Sequence, residues 1–163
     1  MATEDAKDAT HHDAQGRFHL TTMYDTDFYT WAQAQAAALR AKNWAALDVA
    51  NLAEEIESLG NEQAHAVESH LVVVLTHLLK WCYQPPRRSR GWRTSVRVGR
   101  QQIARRLRRN PGLRPDLPTV LTDAYTDARK RAMDDTGLPL ATFPEACPWP
   151  LAQVLDEDFL PEG

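Results

Sequence analysis

The sequence predicts an all-α protein, an antiparallel bundle of about five helices with an irregular, proline-rich C-terminal strap. Three observations carry this. Apolar residues recur at alternating steps of three and four in successive segments, the spacing that gathers side chains on one face of a helix. No segment sustains period-two alternation, so no sheet is expected. Proline, glycine and asparagine fall at the joints between periodic segments, and the short connections suit antiparallel neighbours.

The longest periodic segment is residues 61–84, where Ala64, Val67, Leu71, Val74, Leu78 and Trp81 share one face. His70, His77 and Gln84 run beside that face at steps of seven. Ahead of it, Asp27 reads as the N-cap of a helix that ends near Lys42, with Phe28, Trp31, Gln35 and Leu39 on one side and alanine-rich filling. A short helix over about 47–59 turns Leu52, Ile56 and Leu59 inward. Gly60 as its C-cap and Asn61 as the next N-cap predict a hairpin between this helix and the long one.

Pro85-Pro86 ends the long helix, because neither proline donates the next backbone bond. Ser89 to Gly91 opens a fourth helix that runs through Arg109 with Trp92, Val96, Ile103 and Leu107 buried, and Asn110-Pro111 ends it. A fifth begins between Pro115 and Pro118 and reaches Thr136, with Leu117, Leu121, Ala124, Ala128 and Ala132 inward and Gly137 as the stop. The stretch LPLATFPEACPWP is expected to lie extended over the surface, before a last turn near Leu151 to Leu155. Residues 1–20 read as a mobile polar tail whose His11-His12 pair faces solvent rather than a metal, and residues 21–163 as one helical domain without internal repeats.

At 163 residues, 43% of them hydrophobic and 25% charged, the chain is long enough to bury a core without disulfides or a structural metal. Cys82 and Cys147 form no CxxC and no spaced framework, which predicts free thiols in a reducing compartment. The first ten residues, MATEDAKDAT, lack the apolar core of a signal peptide, and the most apolar run, Leu71 to Leu79, is interrupted by Thr76 and His77. A cytoplasmic protein with no membrane partner is expected. The net charge of −3 conceals an asymmetry: Arg87 to Arg114 holds 11 of the 19 basic residues and no acid, while the remainder carries −14.

The motif residues start with Tyr24, Asp27, Phe28, Tyr29, Trp31 and Gln35, and continue through Leu47-Asp48 and the Asn51-to-Gly60 run NLAEEIESLG. His77-Leu78-Leu79-Lys80-Trp81 with Gln84 follows, then Trp92, Tyr125, Thr136-Gly137-Leu138, Phe143-Pro144-Glu145-Ala146-Cys147-Pro148 and Asp158-Phe159-Leu160-Pro161. This combination resembles a bacterial family known as domain-of-unknown-function family 29, and it covers nearly all of the chain after the tail. The resemblance implies an all-helical fold and no established activity. In that family the helix after the tryptophan usually mixes acids among its arginines; here the acids are gone, so the intensity of the basic run is particular to this chain.

Three features are candidates for function. The first is the basic patch of Arg87, Arg88, Arg90, Arg93, Arg97 and Arg100, which with Trp81, Tyr83 and Trp92 nearby has the chemistry to bind phosphates and stack on bases. The opposing expectation, given about twice the weight, is neutralisation inside the bundle. It would use Glu54, Glu55 and Glu57, then Asp123, Asp127, Asp134 and Asp135, then Asp156, Glu157 and Asp158, and leave Arg87, Arg88 and Arg90 freest. The second is a polar seam: Asp48, Asn51 and Glu55 edge the short helix, and His70 and His77 edge the long one, with the hairpin setting His70 opposite Asp48 and Asn51. Imidazole and carboxylate at a half-buried seam can hold a divalent metal or move protons. The only Glu-x-x-His unit is Glu62 to His65, with His65 outward, so a di-iron bundle is undersupplied and a bracing role is expected. Third, Cys147 lies between prolines with no histidine nearby in sequence, and packing rather than nucleophilic chemistry is expected.

No G-x-S-x-G, Walker loop or G-x-G-x-x-G is present, so hydrolase, nucleotidase and dinucleotide readings have no support. The leading expectation is a non-catalytic helical module acting through a protein partner, with no cofactor, and with a homo-oligomer left open. The alternative is nucleic-acid binding through Arg87 to Arg109. The third is a metal-dependent enzyme using His70, His77 and Asp48 or Glu55.

Overall fold

A computed structural model describes residues 23–162 of the chain. The expected polar tail and its histidine pair therefore lie outside the described residues. After a helical turn at 23–26 come α1 (Phe28–Arg40), α2 (Val49–Tyr83), α3 (Arg90–Arg109), α4 (Leu117–Thr136) and the short α5 (Leu151–Leu155), with short 3-10 segments in the connections. The described residues contain no strand. The all-α fold and the proline-rich strap are as expected. The chain divides into two compact units, Met1–Gly60 and Asn61–Gly163.

The second unit holds the main core. Val67, Leu71, Val74, Leu75, Leu78 and Leu79 of α2 pack with Val96, Ile103 and Leu107 of α3, the inward face of α4, and Phe143, Trp149 and Val154 from the C-terminal segment. The stripe expected on the long helix is the observed one, except that Ala64 and Trp81 at its ends are half-buried. Local signals set the helix limits as anticipated. Helix α2 ends at Tyr83, two residues before Pro85-Pro86, the Ser89 hydroxyl accepts the Trp92 N–H at 3.3 Å as the cap of α3, and Gly137 closes α4 at φ 72°, its N–H on the Met133 carbonyl at 2.8 Å. Helices α2 and α3 approach closely at Gly99, where an added Cβ would lie 2.6 Å from Val74 Cγ2.

The strap is pinned by side chains rather than by secondary structure. Tyr125 donates its hydroxyl to the Pro144 carbonyl at 2.9 Å, Arg129 donates to the Phe143 carbonyl at 3.1 Å, and Phe143 meets Tyr83 edge-on at 5.3 Å. Prolines leave few backbone donors here, so side chains from α4 satisfy the strap's carbonyls instead.

In the first unit, Asp27 caps α1 by accepting the Thr30 N–H at 3.0 Å. The helix ends in a Schellman turn: Asn43 N–H reaches the Ala38 carbonyl, Lys42 N–H reaches that of Leu39, and Lys42 takes a left-handed φ of 55°. The expected end near Lys42 is met, with a lysine in a position that glycine usually fills.

Two expectations about this unit fail. The hairpin at Gly60 does not form, because α2 runs unbroken through Gly60 and Asn61 for 35 residues. A glycine inside a helix costs only about 1 kcal/mol against alanine, and the leucines, alanines and glutamates on either side outweigh it. The inward face of the short helix is not inward: Leu52 is half-buried, while Ile56 and Leu59 are 67% and 61% exposed. On α1, Trp31 and Gln35 are buried, but Phe28 and Leu39 of the same face are exposed. The unit is too small to cover every apolar side chain that its helices align.

Candidate functional site

The seam residues fall into separate groups. In the first unit Asp48 is a hub. It precedes the first residue of α2, and its carboxylate accepts the Asn51 backbone N–H at 3.4 Å, the helix-capping geometry, and the Asn51 side-chain amide at 2.7 Å. Trp31 Nε1 donates to the same carboxylate at 3.3 Å, and the Asp48 backbone N–H donates to Gln35 Oε1 at 2.8 Å. Tyr24, stacked edge-on against Trp31 at 4.9 Å, donates its hydroxyl to Glu55. That bond to a carboxylate, with burial second, pushes the Tyr24 hydroxyl up to about 12, so it remains a donor throughout the neutral range. The bonds from Tyr24, Trp31 and Gln35 hold α1 and the turn before it on the start of α2. Gln35, which the sequence only aligns with Trp31 on one face, takes a polar role that its spacing does not announce.

His70 and His77 belong to the second unit. No reversal at Gly60 sets His70 opposite Asp48 and Asn51, so the expected pairing is lost with the hairpin. His77 is half-buried, and its Nδ1–H donates to the Val73 carbonyl of its own helix at 2.8 Å. Burial lowers the pKa of His77, with Lys80 and Arg131 adding to the lowering while the Val73 bond and Asp135 oppose it. His70 is lowered by burial first and by Arg106 second. Both shifts favour the neutral ring. Among the described residues no three His, Cys, Asp or Glu side chains gather as a metal centre requires.

The thiols are half-buried and raised by that burial; Cys147 Sγ–H donates to the Trp149 carbonyl at 3.3 Å, and Cys82 Sγ–H to the Glu162 carbonyl at 3.8 Å. A buried, protonated thiol is a poor nucleophile.

The basic run departs from the expectation given the greater weight. Internal neutralisation does not occur: among the described residues no arginine forms an ion pair with a carboxylate. Three of the eleven guanidiniums in Arg87–Arg114 make hydrogen bonds, and all three use uncharged oxygens. Arg88 donates to the Trp81 carbonyl at 2.9 Å and lies over the Trp81 ring, and Arg106 donates to Gln63 Oε1 at 3.0 Å. Arg100, grouped above with the surface patch, is 3% exposed. Its Nε donates to the Val154 carbonyl at 2.8 Å and its Nη1 to that of Phe159 at 2.9 Å, with longer bonds to Glu157 and Gln153 carbonyls. Burial lowers its pKa, and Asp156 and Glu157 oppose the shift. The sequence carried a signal for this: Arg100 stands four residues after Val96 and three before Ile103, on the apolar stripe itself.

The remaining eight, Arg90, Arg93 and Arg97 among them, have neither a side-chain hydrogen bond nor an ion pair. The aromatic rings expected to stack on bases are engaged within the protein: Trp81 under Arg88, Trp92 under Lys80 at 4.9 Å, and Tyr83 against Phe143. No helix of the described residues is long and apolar enough to cross a membrane.

Comparison with curated proteins and with solved structures finds no match to this chain. A family model does match, over residues 23–160, which takes in both units and every residue of the hub and of the arginine-rich helix. The chain belongs to the family described as Domain of unknown function DUF29.

Proposed function

We propose that the protein is a non-catalytic helical module that acts by docking a protein partner on the apolar face of its N-terminal unit. The observation that carries this reading is the distribution of exposed large apolar side chains. Seven of the nine in the described residues, Phe28, Tyr29, Leu39, Trp44, Val49, Ile56 and Leu59, belong to that unit. Val49, Leu52, Ile56 and Leu59 follow the three–four spacing of a helix-packing seam, and Glu54, Glu55 and Glu57 flank it. A partner that presents an apolar helix face edged by lysine or arginine complements both features.

The test is co-purification of the untagged protein at endogenous level and low salt, with the Ile56→Glu, Leu59→Glu double variant beside it. A stoichiometric partner that the wild type retains and the double variant loses supports the reading. Recovery of the protein alone, or a partner indifferent to both substitutions, overturns it. Light scattering on the purified protein distinguishes a second copy of the chain as the occupant.

The second reading, nucleic-acid binding by α3, is favoured by its six unpaired guanidiniums and weakened by the engaged rings. It predicts fluorescence anisotropy with a steep salt dependence that Arg87→Glu, Arg88→Glu and Arg90→Glu flatten.

A further inference from the structure

A cleft of about 440 Å³ lies wholly within the second unit. One wall is α3, which presents Arg90, Arg93, Thr94 and Arg97; the other presents Glu157 and Asp158. Arg90, Arg93 and Arg97 are spaced by three and four and so project along one side of the helix. None of these three guanidiniums, and neither opposing side-chain carboxylate, has a hydrogen bond or an ion pair. Walls of opposite charge face each other across the cleft without closing. An exposed pair of this kind is worth only about 0–1 kcal/mol, so its absence costs the fold little.

What keeps the walls in place is Arg100, which also lines the cleft. Its guanidinium ties α3 to four carbonyls of residues 153–159, and these bonds hold the acidic wall at a set distance. The lining is thus built in advance, with its charges unspent. Four guanidiniums against two carboxylates leave two positive charges, which matches the −1.5 to −2 or so of a phosphate monoester near pH 7. Arginine forks suit phosphate oxygens, and the carboxylates can only accept, so they call for hydroxyl or amine donors on the same ligand. The same carboxylates repel a bare polyanion strand, and the volume falls among small-ligand pockets of roughly 300–1,000 Å³.

We propose that this cleft binds a small phosphate monoester carrying hydroxyl or amine donors, its phosphate on Arg93 and Arg97 and its donors on Glu157 and Asp158. The site is independent of the apolar face assigned to a protein partner. Isothermal titration of the full chain with ribose 5-phosphate, inorganic phosphate and ribose tests it. Ribose 5-phosphate is expected to saturate one site per chain, with inorganic phosphate at least about tenfold weaker and ribose silent; one hydrogen-bonded group removed is a change of about that size.

Arg93→Gln with Arg97→Gln should abolish saturation. Glu157→Gln with Asp158→Asn should narrow or erase the preference for ribose 5-phosphate over inorganic phosphate, whose own binding holds or tightens once two negative charges are gone. All four side chains are exposed, and a urea midpoint within error of wild type verifies that each variant folds; Arg93→Lys, which keeps charge and loses the fork, gives a milder second probe. No saturable binding of ribose 5-phosphate at 10 mM, or affinity unchanged by the arginine pair, overturns the proposal. So does displacement of ribose 5-phosphate by a single-stranded oligonucleotide whose binding tightens when the carboxylates are removed, which would assign the arginines to nucleic acid.

Discussion

The two ends of α2 have the same apolar spacing and opposite fates. Leu71, Leu75 and Leu78 are fully buried, whereas Ile56 and Leu59, aligned by the same three–four steps, keep more than half of their surface in water. Periodicity states which side chains share a face; it does not state whether anything covers that face. Cover depends on what packs against it. In the second unit α3, α4 and the strap all contribute to the core, whereas in the first unit the polar hub takes up much of the contact with α1.

This contrast can be broken first at the buried end. Leu78→Ala should cost about 2–5 kcal/mol, as removal of a fully buried leucine does, while Ile56→Ala should change stability by no more than about 0.5 kcal/mol. Urea unfolding followed by tryptophan fluorescence measures both, and comparable losses would mean that Ile56 is covered in solution. Gly99→Ala comes next, since its Cβ would sit 2.6 Å from Val74 Cγ2; overpacking there should cost about 1–3 kcal/mol. Gly60→Ala sharpens the comparison from the opposite side. Nothing lies within 4 Å of the added methyl, so it should stabilise the protein by up to about 1 kcal/mol and raise helix content. A loss of stability would indicate that the helix breaks there.

The smallest effect concerns pH. Because burial lowers the folded pKa of His77, the folded state holds fewer protons than the unfolded chain. The stability this contributes is complete above the unfolded value of about 6.5 and declines as pH falls from there through the lowered folded value. The urea midpoint should therefore drop between pH 7.5 and 5.5. His77→Gln should remove part of that slope, the remainder being due to His70, whose shift has the same sign.

Much of the fold was legible. Pro85-Pro86, Ser89, Asn110-Pro111 and Gly137 each act through one backbone group, and each falls where its local chemistry requires. Gly60-Asn61 misled because a glycine permits a turn without compelling one, while Lys42, the residue that does adopt the left-handed turn, has no sequence mark of it. Of the seam, Asp48, Asn51 and Glu55 do collect polar bonds, as a polar edge on an amphipathic helix suggests. Their partners Tyr24, Trp31 and Gln35 are set by tertiary contact and were not readable as partners. The fate of the arginines depended on whether acids faced them across the bundle, which composition does not record.

Arg100 carries a consequence for biosynthesis. Its charge is buried only once the carbonyls of Gln153, Val154, Glu157 and Phe159 surround it, and those lie 53 to 59 residues further along the chain. Until residues 153–159 have left the ribosome, burying α3 against α2 would strand a guanidinium without partners. The second unit is thus expected to stay open through most of its own synthesis and to lock late, with Arg100 as the latch.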